Sequence, residues 1–486
     1  MTRLPGGGGP DRDRKAAEVD AAVRARLAEV DAEILERAPE HDLVPTLDRV
    51  QAVVELLGDP QKSFRVVHVT GTNGKTSTTR MIERLLREHG LRTGRFTSPH
   101  LTDVRERISI DGEPLSASAF IDVYDEVLPY LDLVDARLDD HDLPRLTYFE
   151  VLVVMAYAAF ADAPVDVAVV EVGMGGAWDA TNVADGEVAV VTPVAVDHER
   201  FLGRDVATIS AEKAGIIKPG AFAVLADQVA EAAGPLLART VDVGARVARE
   251  GVEFGVVERE LAVGGQLLTL HGLGAAYDEI FLPLFGAHQA ANAVAALVAV
   301  EAFMGAEVLP PGSGSGSGGA PGLAVGRTAP LDPDVVRAAF ADASSPGRLE
   351  VVRRSPTVLV DAAHNPAGAA VLAEAVLDAF TFTKLVGVIA VLADKDAAGI
   401  LSALEPVLDE VVVTRSSSRR SMLPEDLAEL AGEIFGEHRV TMAQRLDEAL
   451  DLAAGLAEGD GRPGSGILAT GSITVVADVR ILLGVR

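Results

Sequence analysis

The strongest chemical signal in this chain is a strand, a glycine-rich turn and a helix in succession. A β-branched run over 66–70 leads into Gly71-Thr72-Asn73-Gly74-Lys75-Thr76-Ser77, and the helical spacing of Met81, Ile82, Leu85 and Leu86 follows. Backbone N–H groups of such a loop, with the helix N-terminus, make an anion cradle. Lys75 suits outer phosphates and the Thr76 hydroxyl suits Mg²⁺. Val69 stands where the standard motif has its first glycine; the flanking strand and helix favour phosphate binding over a plain turn. Ser98, Glu171 and His198 each follow an apolar run and Glu150 opens a helix. Hydroxyl and carboxylate oxygens suit Mg²⁺, with imidazole a less usual ligand. Lys213, beside Glu212, reads either as half of a surface ion pair or as a lysine near phosphate or metal. Gln289 and Asn292 share a helix face, turned to solvent or to adenine and ribose. Arg348, after Pro346-Gly347, is a surface arginine or one reaching across a cleft to a phosphate. In Asp361-Ala362-Ala363-His364-Asn365-Pro366, capping accounts for Asn365 and Pro366. It leaves Asp361 and His364 to orient an amine or a phosphate.

These residues need a scaffold. Helical patterns run over 16–37, 47–57, 120–138, 149–161, 288–303 and 332–343, with a short one over 210–217. Strand patterns run over 92–97, 166–172 and 188–193, and a hairpin centres on Asp111-Gly112. Alternation over 246–283 predicts antiparallel strands. Alternating strands and helices predict an α/β fold with a mostly parallel sheet, ligands lying at the strands' carboxyl ends. After residues 344–347 the pattern restarts, with strands over 357–361, 385–390, 411–414 and 467–470. The expected organisation is a disordered tail over 1–14, a large phosphate-loop ATPase domain over 15–344 and a smaller Rossmann-like α/β domain over 345–486. The first domain carries a flexible glycine/serine-rich insertion at 310–326.

At 486 residues, 48% hydrophobic and 24% charged, the composition is that of a globular protein. Without cysteine, disulfides and thiolate chemistry are excluded. Apolar runs such as 151–160 are shorter than the about 18 residues of a membrane span, and no leader opens the chain, so a cytoplasmic location without membrane association is expected. A net charge of −29 argues against nucleic-acid binding. An anionic ligand then needs a local cationic pocket, for which Lys75, Lys213, Arg348 and Lys395 are candidates. His68 reads as core. His41, His89, His141, His271 and His438 have no partner pattern.

Taken together, these segments resemble the folylpolyglutamate synthase/dihydrofolate synthase family of the Mur ligase superfamily, from about residue 45 to the C-terminus. The motifs carrying the resemblance lie at 46–50, 68–77, 97–101, 147–150, 171–182, 197–198, 212–220, 286–292, 346–348, 361–366 and 470–472. The resemblance implies that ATP phosphorylates the carboxylate of dihydropteroate or a reduced folate and that L-glutamate attacks the acyl phosphate. It implies that Gly71–Ser77 hold the phosphates and Mg²⁺, with Lys75 catalytic. Ser98 and Glu171 would hold one metal and His198 a second, and Lys213 would be carbamylated. Gln289, Asn292, Arg348 and Asp361 would bind ATP, and Asp361 and His364 would face glutamate and phosphate. Ser98, Pro99, His100 and Leu101, with Phe149 and Glu150, would border the acid substrate. A monomer is implied. Thr76 stands where the family has a second glycine, and Ala177-Trp178 where Gly-Gly-Arg is usual. A Mur-type ligase for another acid and amino acid, a phosphate-loop NTPase switch and a nucleotide-sensing module are the alternatives.

Overall fold

In the computed structural model, residues 10–37, 44–141, 143–307, 330–459 and 463–485 are described. The insertion at 310–326 and residues 1–9 of the expected tail lie outside them. Residues 10–14 of that tail fall within the helix Pro10–Leu35, because lengthening a helix already nucleated over the Ala-rich run costs little. The fold class is α/β, and the chain divides into two compact units interleaved along the sequence.

The first unit comprises the chain up to Val66, Leu91–Gly173 and Trp178–Asp185. Strand Thr93–Phe96 pairs in parallel with Val167–Glu171 and antiparallel with Ile108–Ile110, which turns back into Glu113–Pro114. Asp111 and Gly112 both have positive φ, 50° and 85°, which fits the predicted tight hairpin. The helix Tyr148–Asp162 is buried along nearly its whole length. It packs with the buried faces of Asp48–Leu56 and Ala117–Asp139, so its sequence is apolar all round rather than on one stripe.

The second unit comprises Val67–Gly90, Met174–Ala177 and the chain from Gly186 onward. Residues 67–70 of strand Arg65–Thr70 pair in parallel with Val188–Val191, which pairs with Phe222–Leu225, and that with Arg246–Arg249. Strand Arg246–Arg249 therefore corrects the antiparallel expectation for 246–283. The helix Ala230–Asp242 carries the chain back across the sheet, and alternation reports an exposed face, not the direction of a partner. The remainder of the segment is antiparallel as expected, over Gly255–Ala262, Gly265–His271 and Ala276–Leu282.

The C-terminal sheet has the order Glu350–Arg354, Thr357–Val360, Ser465–Thr470, Lys384–Ile389, Glu410–Val413, Val440–Met442. Its first pair is antiparallel and the others parallel. The last strand in the chain inserts between the second and the fourth, so the strand order reverses there, and such a reversal opens a crevice at the carboxyl ends. Asp361 follows one of the bordering strands. His68 is fully buried in its strand, as read, and burial with the Lys218 charge pushes its imidazole down to about 3. No described helix is long and apolar enough to cross a membrane.

Candidate active site

In the second unit the phosphate loop is braced on the neighbouring strand. The Thr72 N–H donates to the Pro193 carbonyl at 3.0 Å, and the Thr72 hydroxyl donates to the Ala195 carbonyl at 2.9 Å. Gly71 has φ 142° and Gly74 φ 90°. A Cβ on Gly71 would lie 1.9 Å from Thr192 Oγ1 and 2.8 Å from the Thr192 carbonyl. Gly71→Ala is therefore expected to destabilise the protein by about 2–5 kcal/mol through strain and overpacking and to weaken ADP binding. Thr192→Ala would not rescue it, because the carbonyl remains in the way. Denaturant melts and ADP calorimetry check this, and an unperturbed variant would contradict the packing described.

Two lysines converge on the loop. Lys75 Nζ donates to the Gly71 and Thr72 carbonyls at 3.2 and 3.0 Å. Lys213 is buried, not at the surface, and donates to the Gly71 carbonyl at 2.8 Å. A close backbone approach places it. A Cβ on Gly176 would meet the Glu212 and Lys213 carbonyls at 2.8 Å, and one on Gly215 would meet Ala177 Cα at 2.4 Å. Gln289 and Asn292 are likewise buried rather than turned to solvent. Gln289 Nε2 donates to Ser77 Oγ at 3.4 Å, Asn292 Nδ2 donates to Gln289 Oε1 at 3.2 Å, and Asn292 Oδ1 lies 2.6 Å from where a Gly74 Cβ would be. The Ser77 hydroxyl thus meets Gln289 inside the protein, while Thr76 is half-buried at the helix start.

The same unit brings the carboxyl end of the C-terminal sheet to the loop. Asn365 caps the helix Pro366–Ala379 through Gly368 N–H at 2.7 Å, and its Nδ2 donates to Asn73 Oδ1 at 3.1 Å and Asp197 Oδ2 at 3.2 Å. Lys395 Nζ lies 2.6 Å from Asp197 Oδ1 and His364 Nε2 3.4 Å from Asp197 Oδ2. Burial alone would raise the Asp197 carboxyl. The His364 hydrogen bond and the surrounding positive charges outweigh it and hold the group far below the ordinary carboxylate range. His198, in left-handed conformation at φ 53°, is pushed down by crowding, against the pull of Asp197, and further by Lys395 and Lys75. Its imidazole is therefore neutral and keeps a lone pair.

Asp361 is buried, which raises its carboxyl despite Arg348 and two backbone donors. Its oxygens accept from Leu349 N–H at 2.7 Å and Ala363 N–H at 2.8 Å, so it holds the turn that carries Arg348.

In the first unit Ser98 and Glu171 come together, the Ser98 N–H donating to Glu171 Oε2 at 3.3 Å. The Glu106 carboxylate accepts from the Leu101, Thr102 and Asp103 N–H groups at 2.8, 3.0 and 3.0 Å, and Arg107 Nε donates to His100 Nδ1 at 3.0 Å. The loop from Ser98 to Leu101, including Pro99, is thereby anchored. Phe149 packs on Gly173, where a Cβ would sit 2.4 Å from its ring. Glu150 is buried against Arg49, 2.7 Å from Nη2, and accepts the Thr147 N–H at 2.8 Å in a capping box. Its carboxylate is held by Arg49 and by the start of its own helix.

Sequence reasoning undervalued Asp197, Asn365 and Ser345. Asp197 was visible only as the neighbour of His198. Ser345, whose hydroxyl lies 2.9 Å from that of Ser77, carried no signal.

A phosphate loop gripped by two lysines meets the carboxyl edge of a Rossmann-like sheet, an arrangement that suits an ATP-dependent ligase. Residues 347–473 match the family model described as Mur ligase, glutamate ligase domain. The dihydrofolate synthase/folylpolyglutamate synthase of Mycobacterium tuberculosis is 48% identical over 478 residues, 95% of this chain and 94% of the relative. That of Escherichia coli is 32% identical over 442 residues, 90% and 92%. The M. tuberculosis folylpolyglutamate synthase crystal structure with ADP and AMPPCP has a TM-score of 0.87 at 48% identity, covering 95% of this chain and 99% of that one. The E. coli FolC complex with DHPP and ADP has 0.76 at 29%, covering 96% and 98%. The chain belongs to the dihydrofolate synthase/folylpolyglutamate synthase family.

Proposed function

We propose that this chain uses ATP to join L-glutamate to the carboxyl group of dihydropteroate, of reduced folates, or of both. The observation that carries this reading is the meeting of Asn73 with Asn365 and of Asp197 with Lys395 and His364. It sets the phosphate loop against the edge of the glutamate-ligase sheet. A carboxylate is a poor electrophile. Its oxygen attacks the γ-phosphorus and ADP leaves; the glutamate nitrogen then attacks the acyl carbon, losing a proton as inorganic phosphate departs. The protein's part is positioning and charge neutralisation.

In this reading the Gly71–Ser77 backbone cradles the phosphates and Lys75 moves from the loop carbonyls to the outer phosphates. Gln289, Asn292 and Arg348 attend the nucleotide, Asp361 holds Arg348 in place, and His364 and Lys395 face phosphate and glutamate. Ser98–Leu101 with Phe149 border the acid, and Glu150 supports that wall through Arg49. The donor sets fit Mg²⁺, which takes hard oxygens, keeps waters and leans on substrate phosphates. Two ions would be held: Ser98 and Glu171 would serve one and neutral His198 the second, with the Thr76 hydroxyl a further donor for Mg²⁺ on the nucleotide. Bound Mg²⁺ would neutralise phosphate charge and orient the phosphoryl group. Lys213, buried against the phosphate loop, is the candidate for carbamylation. A carbamate keeps one N–H for the Gly71 carbonyl and adds oxygens for metal. The matched region 347–473 supports a glutamate-ligase domain over 345–486, and the ATP-binding domain of this reading is the chain before it, over 15–344. A cytoplasmic monomer that binds small molecules, without nucleic acid or membrane, completes the reading.

The test follows ADP release with dihydropteroate, tetrahydrofolate or no acid, each with and without L-glutamate. Release that depends on both an acid and glutamate is expected. ATPase activity indifferent to both would indicate a switch, and no turnover with either acid would indicate a sensor or a ligase for another acid.

A further inference from the structure

The turn that carries Arg348 is fastened at several points. Leu349, at φ 42°, gives its N–H to Asp361. Gly347 gives its N–H to Glu350 at 2.7 Å, and the other Glu350 oxygen is held by Arg480. Ala362 N–H returns to the Gly347 carbonyl at 3.0 Å. These bonds tie the turn to the C-terminal sheet. Ser345 does something else. Its carbonyl accepts the Arg348 N–H at 3.2 Å, and its hydroxyl meets Ser77 Oγ at 2.9 Å, both serines being buried. Ser77 in turn receives Gln289, which receives Asn292, which packs on Gly74 of the phosphate loop. A chain of hydrogen bonds thus runs from Asn292, beside Gly74, to the backbone of Arg348.

We propose that Ser345 is a positioning residue. Through Ser77 it registers the Arg348 turn on the phosphate-loop helix, so that Arg348 is already aimed when nucleotide arrives. Ser77 then serves the nucleotide through its backbone N–H while its hydroxyl sets the turn. The physical basis is that a buried hydroxyl pair holds the backbone of the turn at one place relative to the phosphate-loop helix, so that the arginine searches for the nucleotide from a fixed origin instead of from a turn that drifts. The inference rests on the reading that Arg348 contacts ATP.

A double-mutant cycle tests it. Ser345→Ala is expected to raise the KM for ATP about tenfold, the loss of one well-made hydrogen bond. kcat at saturating ATP and the KM for L-glutamate should change little, and the melting temperature should fall only slightly, because Gln289 still donates to Ser77. Arg348→Ala should raise the KM for ATP further, and Ser345→Ala should add nothing on that background, since a residue acting through Arg348 has no effect without it. An unchanged KM for ATP in Ser345→Ala, or an equal further rise on the Arg348→Ala background, overturns the inference. An unchanged KM in Arg348→Ala instead overturns the reading of Arg348 as a nucleotide contact. ADP affinity by calorimetry gives the same comparison without turnover.

Discussion

Replacing Lys75 by alanine is expected to reduce ligation about 10³-fold, as judged from the removal of one preorganised charge from a developing phosphoryl transition state. The fold should survive. Lys75 is half-buried, its ammonium rests on two loop carbonyls, and that of Gly71 keeps the Lys213 donor once it is gone. Gly71, Gly74 and the Thr72 braces, which set the loop's shape, remain. Lys75→Arg should recover only part of the loss. A planar guanidinium keeps the charge but cannot place a compact ammonium between adjacent phosphate oxygens. The measurement is ADP release under saturating substrates, alongside a thermal melt. Wild-type turnover in Lys75→Ala would refute the site, whereas a collapsed melt would mean that the two carbonyl contacts hold the loop together.

The second large effect concerns stability. Arg49 and Glu150 are each only 4% exposed, and Arg49 Nη2 also donates to the Val44 carbonyl at 3.1 Å. Glu150→Ala leaves a buried guanidinium without its carboxylate and removes the partner of the Thr147 N–H. A loss of about 3–5 kcal/mol is expected, or roughly 10 °C in melting temperature for the unit concerned. The double variant Arg49→Leu, Glu150→Met should recover most of it, because two apolar side chains of similar volume avoid the desolvation both ions suffer. Melting curves of the single and double variants decide. A single variant with an unchanged melt but a raised KM for the acid would return Glu150 to the substrate wall as a direct contact.

What the sequence by itself determined is what short stretches encode. The apolar run ending at Thr70, the glycines at 71 and 74 and the helix from Lys75 specify a phosphate loop without reference to the rest of the chain, because period, positive φ and capping are local properties. The parallel α/β character and the Asn365-Pro366 helix start were legible for the same reason. Tertiary structure decided the partners. Lys213 finds the Gly71 carbonyl 142 residues away, and Lys395 finds Asp197 198 residues away. Neither pairing leaves a trace in the neighbouring residues. Gln289 and Asn292 could have faced water, Glu150 could have faced a ligand, and Arg246–Arg249 could have paired either way. Each was decided by which surface packed over it, and a polar side chain's role follows from that burial rather than from its own identity.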